Sequence, residues 1–140
     1  MGASFLSHIN WLAVLLAGLG YFILGAIWYS FLFKNAWIRL TRIDMSDPNI
    51  KKGVAQTMFT SLILMIVASI GLAIIMVYFQ PHSLMLGAKL GLLCGVCFSA
   101  TAISISYVYE KRPLGLHLIN GGYNVAGSVV AGMILGAWPQ

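Results

Sequence analysis

The sequence predicts an all-α protein, an integral membrane bundle of four helices. Of its 140 residues, 60% are hydrophobic and only 8% are charged, whereas soluble domains carry about 25% charged residues. The mean hydropathy is +0.91, and a soluble chain of this length could not bury so much apolar surface. The charges are also confined to short segments, which leaves four runs without Asp, Glu, Lys or Arg: 1–33, 53–88, 90–109 and 113–140.

Each uncharged run is long enough for one membrane span, because about 20 apolar residues cross the hydrocarbon core as a helix. The first run lacks a basic start and a cleavage site, so we interpret it as a retained helix. The stretch "SDPN" (46–49) predicts the capped start of the second helix. The chain is expected to form a single domain with spans at 9–33, 54–79, 84–109 and 114–138.

The Lys and Arg residues predict an orientation. The segment 34–52 holds five of them and the turn 110–112 holds two, whereas Lys89 lies near the opposite ends of the spans. Positively charged loops stay in the cytoplasm. We therefore expect both charged segments in the cytoplasm and both termini outside. The net charge of +5 follows from the same rule, so nucleic acid is not an expected partner.

Small residues at four-residue spacing occur in the third and fourth spans and predict close helix packing. Such rows let two helix backbones approach, which favours association inside a membrane. They fit either packing within one bundle or an interface between subunits. The rows consist of Gly87, Gly91, Gly95 and Ser99 in the third span, and of Ser128, Gly132 and Gly136 in the fourth.

The stretch "HLINGGYN" (117–124) places polar groups deep in the fourth span. On a helix, His117, Asn120 and Asn124 share one face. An unpaired amide facing lipid would cost several kcal/mol, so this face is expected to point into the bundle. Partners for Asn124 are expected among Ser99, Thr101, Ser106 and Thr60. The full polar cluster predicted from the sequence is Trp28, Tyr29, Thr60, Ser106, Glu110, Arg112, His117, Asn120, Tyr123 and Asn124.

Glu110 is the only acid next to a span. Neighbours in sequence do not face each other on a helix, so its expected partner is Lys34 or Arg39 at the same membrane face rather than Lys111.

Two interpretations of the polar cluster stay open. Its side chains could hydrogen-bond between helices and stabilise the bundle, or they could line a cavity open to the cytoplasm that holds a small ligand. No nucleophile is paired with a base, so an enzyme is not expected. No carboxylate lies within a span, which argues against a proton-coupled exporter. Cys94 and Cys97 lack a second pair of ligands. The sequence therefore predicts no metal and no cofactor.

Three stretches resemble one known family: "INWLAVLLAG…GAIWYS", "YVYEKRP" and "LINGGYNVAGSVVAGMILGAW". Over residues 9–138 the chain is similar to the small membrane-protein family catalogued as domain of unknown function 1761. The resemblance implies a four-helix membrane protein, mostly bacterial, without an established activity, and therefore a location in a bacterial cytoplasmic (inner) membrane. Phe31 stands where the family often has proline. Asn124 stands where it often has histidine, which argues against a metal or proton role there.

The leading hypothesis from the sequence is a small non-enzymatic multi-pass membrane protein, either an accessory subunit or a self-associating bundle. Its expected partners are membrane lipid and either itself or another membrane protein. The alternative is a binder or transporter of a lipid-like or small amphipathic molecule through the polar pocket that faces the cytoplasm.

Overall fold

The structure, a computed structural model, describes residues 6–79 and 82–138. Within this part of the chain, all regular structure is helical and there is no strand. The all-α fold class predicted from the sequence is confirmed. Between residues 11 and 137 the described chain forms five helices: α1 Trp11–Leu32, α2 Lys34–Thr41, α3 Val54–Val77, α4 Leu84–Tyr109 and α5 Leu114–Ala137.

Four of these helices, all except α2, are long and apolar enough to cross a membrane. They contain 22, 24, 26 and 24 residues, and each exceeds the roughly 20 residues that a span requires. The ranges predicted from the sequence differ from them by at most two residues at any end. The chain therefore has the architecture of a multi-pass membrane protein.

Helix starts follow from local hydrogen bonding. The side-chain oxygen of Asn10 accepts bonds from the N–H groups of Leu12 and Ala13, at 3.1 and 3.2 Å, and caps α1. Ser83 caps α4 through the N–H of Leu86, at 3.0 Å. Both caps use a short polar side chain to bond N–H groups that have no partner within the helix.

Turns, and not a helix start, follow α2. Asp44 accepts bonds from the N–H and the hydroxyl of Ser46, at 2.9 and 2.5 Å. These bonds hold the pKa of the Asp44 carboxyl below its usual range, and the bond from the hydroxyl contributes most. Asp47 accepts a bond from the N–H of Asn49, at 2.9 Å. The cap predicted at "SDPN" is wrong, because these carboxylates close local turns and α3 begins only at Val54.

Helix α5 lies at the centre of the bundle. It packs most extensively on α4 and α1, whereas α3 packs mainly on α1 and only lightly on α4. In the most apolar stretch of each span, 44% of the residues are buried in α5 but only 11% in α4. The four spans therefore form an open arrangement in which α3 and α4 lie outermost.

Glycines bring the backbones of α4 and α5 together. A Cβ on Gly87 would overlap the carbonyl oxygen of Gly132, and a Cβ on Gly132 would overlap the carbonyl oxygen of Gly87. A Cβ on Gly91 would likewise overlap the carbonyl oxygen of Ser128. Such an approach replaces side-chain contacts with direct backbone contact. The residues at this contact within one chain are Gly87, Gly91, Gly95, Val125, Ser128, Gly132 and Gly136.

Helix α2 lies against the bundle at the end that carries the charged segments 34–52 and 110–112, which we name the charged end. The ring of Trp37 packs edge-on against Tyr29, with centroids 5.7 Å apart. Leu40 fills a notch at the start of α5, where a Cβ on Gly115 would lie 2.5 Å from its Cδ1. These contacts place the end of α2 beside the turn that joins α4 to α5.

Candidate functional site

Polar side chains of three helices meet in one hydrogen-bonded cluster, which we name the Tyr–Asn network. Helix α5 supplies two side-chain amides, which bond tyrosine hydroxyls of α1 and α4, and the indole of Trp28 on α1 bonds the backbone of α5. Its members are Tyr21, Trp28, Tyr29, Tyr107, Asn120, Tyr123 and Asn124.

Asn120 connects α5 to both neighbouring helices. Its side-chain oxygen accepts a bond from the hydroxyl of Tyr29 on α1, at 2.6 Å. Its amide nitrogen donates to the hydroxyl of Tyr107 on α4, also at 2.6 Å. Both polar atoms of this amide are thus bonded within the protein, which removes the cost of placing them among apolar groups.

Asn124 lies one turn further along the same face of α5. Its side-chain oxygen accepts a bond from the hydroxyl of Tyr21, at 2.5 Å. Its nitrogen donates to the backbone carbonyl of Asn120, at 2.8 Å. Both asparagines therefore point into the bundle, as the sequence predicts, but they bond tyrosines instead of the expected serines and threonines.

Tyr123 is almost fully buried and fixes α1 against α5. Its hydroxyl donates to the backbone carbonyl of Tyr21, at 3.0 Å. Its ring packs edge-on against Tyr21 and Tyr29, with centroid distances of 5.4 and 5.3 Å. Gly25 leaves room for the hydroxyl, because a Cβ there would lie 2.7 Å from that oxygen.

A widened turn of α1 accompanies the network. Residues Trp28–Leu32 have π-helical geometry, and the N–H of Phe33 bonds the carbonyl of Trp28 at 2.9 Å. The indole of Trp28 donates to the backbone carbonyl of Ile119, at 3.0 Å, while its neighbour Tyr29 also reaches α5. Successive residues of a regular helix lie about 100° apart, so the wider turn helps both side chains to face α5. Turns of this kind are frequent at functional sites.

Two predicted members of the cluster stay outside it. Thr60 is exposed, and its hydroxyl donates to the carbonyl of Gln56 in its own helix, at 2.9 Å. Ser106 is also exposed on α4. Thr101, an expected partner of Asn124, bonds the carbonyl of Cys97 at 2.7 Å. Serine and threonine in a helix commonly bond the carbonyl one turn earlier, and such local bonds leave Thr60 and Thr101 out of the network.

Glu110 and Arg112 also lie outside the network, at the charged end. Their side chains approach each other at 3.8 Å, and both are about half exposed. The partner expected from the sequence, Lys34 or Arg39, is therefore wrong. The physical reason is that α4 ends before this turn and Lys111 adopts a left-handed φ of 56°, so the chain reverses and residues two apart can meet.

His117 flanks the network from the charged end. Its ring packs edge-on against Tyr107, with centroids 5.3 Å apart and planes at 80°. Among the residues that the structure describes, no three His, Cys, Asp or Glu side chains lie close enough to share a metal ion.

The sequence-based cluster omitted Tyr21 and Tyr107, which the structure places in direct contact with its amides. Tyr21 lies within the apolar run "GYFILG", and this setting predicts a core residue. The signal that could have added these tyrosines to the cluster is chemical, since a buried tyrosine hydroxyl needs a hydrogen-bond partner. Asn120 and Asn124 are amides that can supply one.

A second feature lies between α3 and α4 on the side where these helices separate. It is a cleft of about 250 Å³ whose floor is formed by α1 and α5, and we name it the α3–α4 cleft. Its lining is apolar apart from a few hydroxyl groups and one thiol. The lining residues are Tyr21, Ala68, Ser69, Gly71, Leu72, Ile75, Cys94, Phe98, Ser99, Ser128 and Ala131.

The comparison with protein families agrees with this architecture. A family model described as "Protein of unknown function (DUF1761)" matches residues 12–136. The chain belongs to this family. The match includes most of the four long helices and every member of the Tyr–Asn network, and it confirms the resemblance seen in the sequence. The DUF1761 description assigns no activity. No curated protein and no solved structure matches the chain.

Proposed function

We propose that the protein is a non-enzymatic membrane protein that holds a neighbouring transmembrane helix in its α3–α4 cleft. It would act either as an accessory subunit of another membrane protein or by self-association. The observation that carries the proposal is the open side of the bundle, where a cleft lined by small residues and hydroxyls lies at membrane depth.

The shape of the bundle supports this proposal. Helices α3 and α4 flank α1 and α5 but scarcely contact each other, so the bundle lacks the closing contact of a four-helix ring. Gly71 lies on the rim of the opening, and a Cβ placed there meets no atom within 4 Å. An additional helix can therefore approach α3 at this point without displacing any part of the chain.

The chemistry of the lining also favours a helix. Transmembrane helices associate through small residues that allow close approach and through hydroxyls that bond across the contact. The cleft offers Ala68 and Gly71 on α3, Ser99 on α4 and Ser128 on α5.

The Tyr–Asn network supports the non-enzymatic part of the proposal. The amide oxygens and nitrogens of Asn120 and Asn124 are bonded to groups of the same chain. A network whose polar atoms are satisfied in this way stabilises a unique packing. The alternative function, transport or binding of a lipid-like molecule through this cluster, has less support, because a ligand would have to replace these bonds.

The membrane and the orientation belong to the same proposal. We place the protein in a bacterial cytoplasmic membrane with the charged end inside the cell and both termini outside. The distribution of Lys and Arg supports this orientation, since five lie in segment 34–52 and two in the turn 110–112.

Native mass spectrometry of gently extracted protein tests the proposal. We expect the wild type to carry a second protein chain and Gly71→Phe to appear as a free monomer, because the new ring would occupy the mouth of the cleft, where a Cβ on Gly71 has no neighbouring atom within 4 Å. Ile63→Phe is the matched control, since Ile63 is 44% exposed, lies outside the cleft lining and points about 80° away from Gly71 around the helix. A monomeric wild type, or identical behaviour of the two variants, would contradict the proposal.

A further inference from the structure

A second cleft opens at the charged end, where α2 meets the turn between α4 and α5. Its volume is about 600 Å³, and we name it the basic cleft. It is separate from the α3–α4 cleft and from the Tyr–Asn network, and the proposed function does not use it. Its lining residues are Leu40, Thr41, Arg42, Glu110, Lys111, Arg112 and Pro113.

Two chain reversals build this cleft. Arg42 ends α2 with a φ of 58°, and Lys111 follows α4 with a φ of 56°. Within the described part of the chain, these are the two non-glycine residues with positive φ, and both line the same cleft. The packing of Leu40 against Gly115 holds the two reversals side by side. Cationic residues from distant parts of the sequence are thereby brought together.

The cleft carries positive charge that the protein does not neutralise. Three cations, Arg42, Lys111 and Arg112, share it with a single carboxylate, Glu110. That carboxylate lies 3.8 Å from one nitrogen of Arg112, which leaves most of the five guanidinium N–H donors unused. No ion pair of Arg42 or Lys111 occurs among residues 6–79 and 82–138. The formal charge of the lining is therefore +2, from three cations and one acid.

The position of the cleft indicates the source of an anion. The turn that forms it joins two membrane-spanning helices directly, so it lies at the boundary of the hydrocarbon core. Large apolar side chains next to it point away from the protein: Tyr109 is 85% exposed and Leu114 is 72% exposed. A lipid in the membrane leaflet at the charged end would place its headgroup at the cleft and its acyl chains along Tyr109 and Leu114.

We propose that the basic cleft binds the phosphate-bearing headgroup of an anionic phospholipid. Arg42 and Arg112 would donate paired N–H groups to phosphate oxygens, while Lys111 would add a compact positive charge. A free phosphate ion offers the same oxygens but lacks acyl chains to lie on Tyr109 and Leu114. The exposed apolar residues beside the cleft therefore favour a lipid over a free phosphate ion.

The test measures lipid binding to the purified full-length protein in a neutral detergent. Phosphatidylglycerol and phosphatidylcholine with the same acyl chains are titrated in parallel. We expect the wild type to bind phosphatidylglycerol more tightly. The double variant Arg42→Gly/Lys111→Gly keeps the positive φ values, which glycine adopts freely, and should bind phosphatidylglycerol roughly 25-fold more weakly, or about fivefold per cation lost near a membrane surface.

The matched control is Lys51→Gln/Lys52→Gln, which removes the same amount of charge from segment 34–52, outside the cleft lining. It should retain the affinity of the wild type. An equal loss in both double variants would overturn the proposal, because it would indicate a general surface charge. Equal binding of the two lipids by the wild type would overturn it as well. Displacement of the lipid by an equal concentration of inorganic phosphate would assign the cleft to a free ion and so contradict a lipid site.

A single variant covers the case in which the double glycine variant does not fold. Arg112→Gln alters a half-exposed side chain whose ion pair is 3.8 Å long, so the bundle should keep its thermal stability. We expect about a fivefold loss of phosphatidylglycerol affinity. Unchanged affinity in this folded variant would overturn the proposal.

Discussion

The hydroxyl of Tyr21 on α1 donates a 2.5 Å hydrogen bond to the side-chain oxygen of Asn124 on α5. These residues are 103 positions apart in the sequence, so the bond connects the first span to the last. It stands beside the bond from Tyr123 to the backbone of Tyr21. Together they hold the best-buried helix of the bundle against α1.

Removal of either partner of this bond should destabilise the bundle. Tyr21→Phe leaves the oxygen of Asn124 unpaired and should lower the free energy of unfolding by roughly 0.6–1.7 kcal/mol, the range for hydrogen bonds between membrane helices. Asn124→Leu should cost a similar amount. Reversible unfolding in detergent, followed by circular dichroism, measures these losses.

The double variant Tyr21→Phe/Asn124→Leu shows whether the two residues act through one bond. Its loss should be smaller than the sum of the single losses, because both changes remove the same interaction. Thr60→Val serves as a control with little effect, since that hydroxyl bonds its own helix. Strictly additive losses would show that the bond does not couple α1 to α5.

The glycines of α4 and α3 should differ sharply in their tolerance of a side chain. Gly91→Leu drives atoms into the backbone of α5 at Ser128, and overpacking of this kind costs about 1–3 kcal/mol. Gly71→Leu adds a side chain to a position with no neighbouring atom within 4 Å. The melting temperatures of the two variants in detergent test this contrast. Equal melting temperatures would mean that the α4–α5 contact is not the close packing described here.

Thiol labelling tests the orientation. In a chain that carries Cys94→Ala and Cys97→Ala, Asn49→Cys should be shielded from an impermeant maleimide in intact spheroplasts and react only after lysis. Gln140→Cys should react in intact spheroplasts. The reverse pattern of labelling would place the charged end outside the cell.

The four spans could be predicted from the sequence because every charged residue except Lys89 lies in one of two loops and each remaining run is long enough for one span. The order of helix neighbours could not, since an apolar helix surface is compatible with lipid as well as with protein. Thus the central position of α5 and the separation of α3 from α4 emerge only from the packing. The cap predicted at Ser46 or Asp47 was wrong because these residues are suited to turns as well as to caps, although the span itself begins at Val54 as predicted.

Five of the seven members of the Tyr–Asn network belong to the cluster predicted from the sequence. The inward direction of Asn120 and Asn124 follows from the cost of exposing an amide to lipid. Their partners could not be identified, because the choice depends on which helix faces α5 and on the rotation of that helix. On α4 the residue that bonds Asn120 is Tyr107. Its neighbour Ser106, which the sequence suggested as a partner, points about 100° away from Tyr107 around the helix. The widened turn at Trp28–Leu32 has no sequence pattern that would predict it.

Photocrosslinking in native membranes tests the proposed helix-binding role most directly. A benzophenone attached to Gly71→Cys, in the chain without its two native cysteines, would lie at the α3–α4 cleft. We expect one protein adduct of constant size from this position and none from Ile63→Cys, which lies outside the cleft lining and about 80° around the helix from Gly71. Adducts with lipid alone at both positions, or the same protein adducts from both, would contradict it.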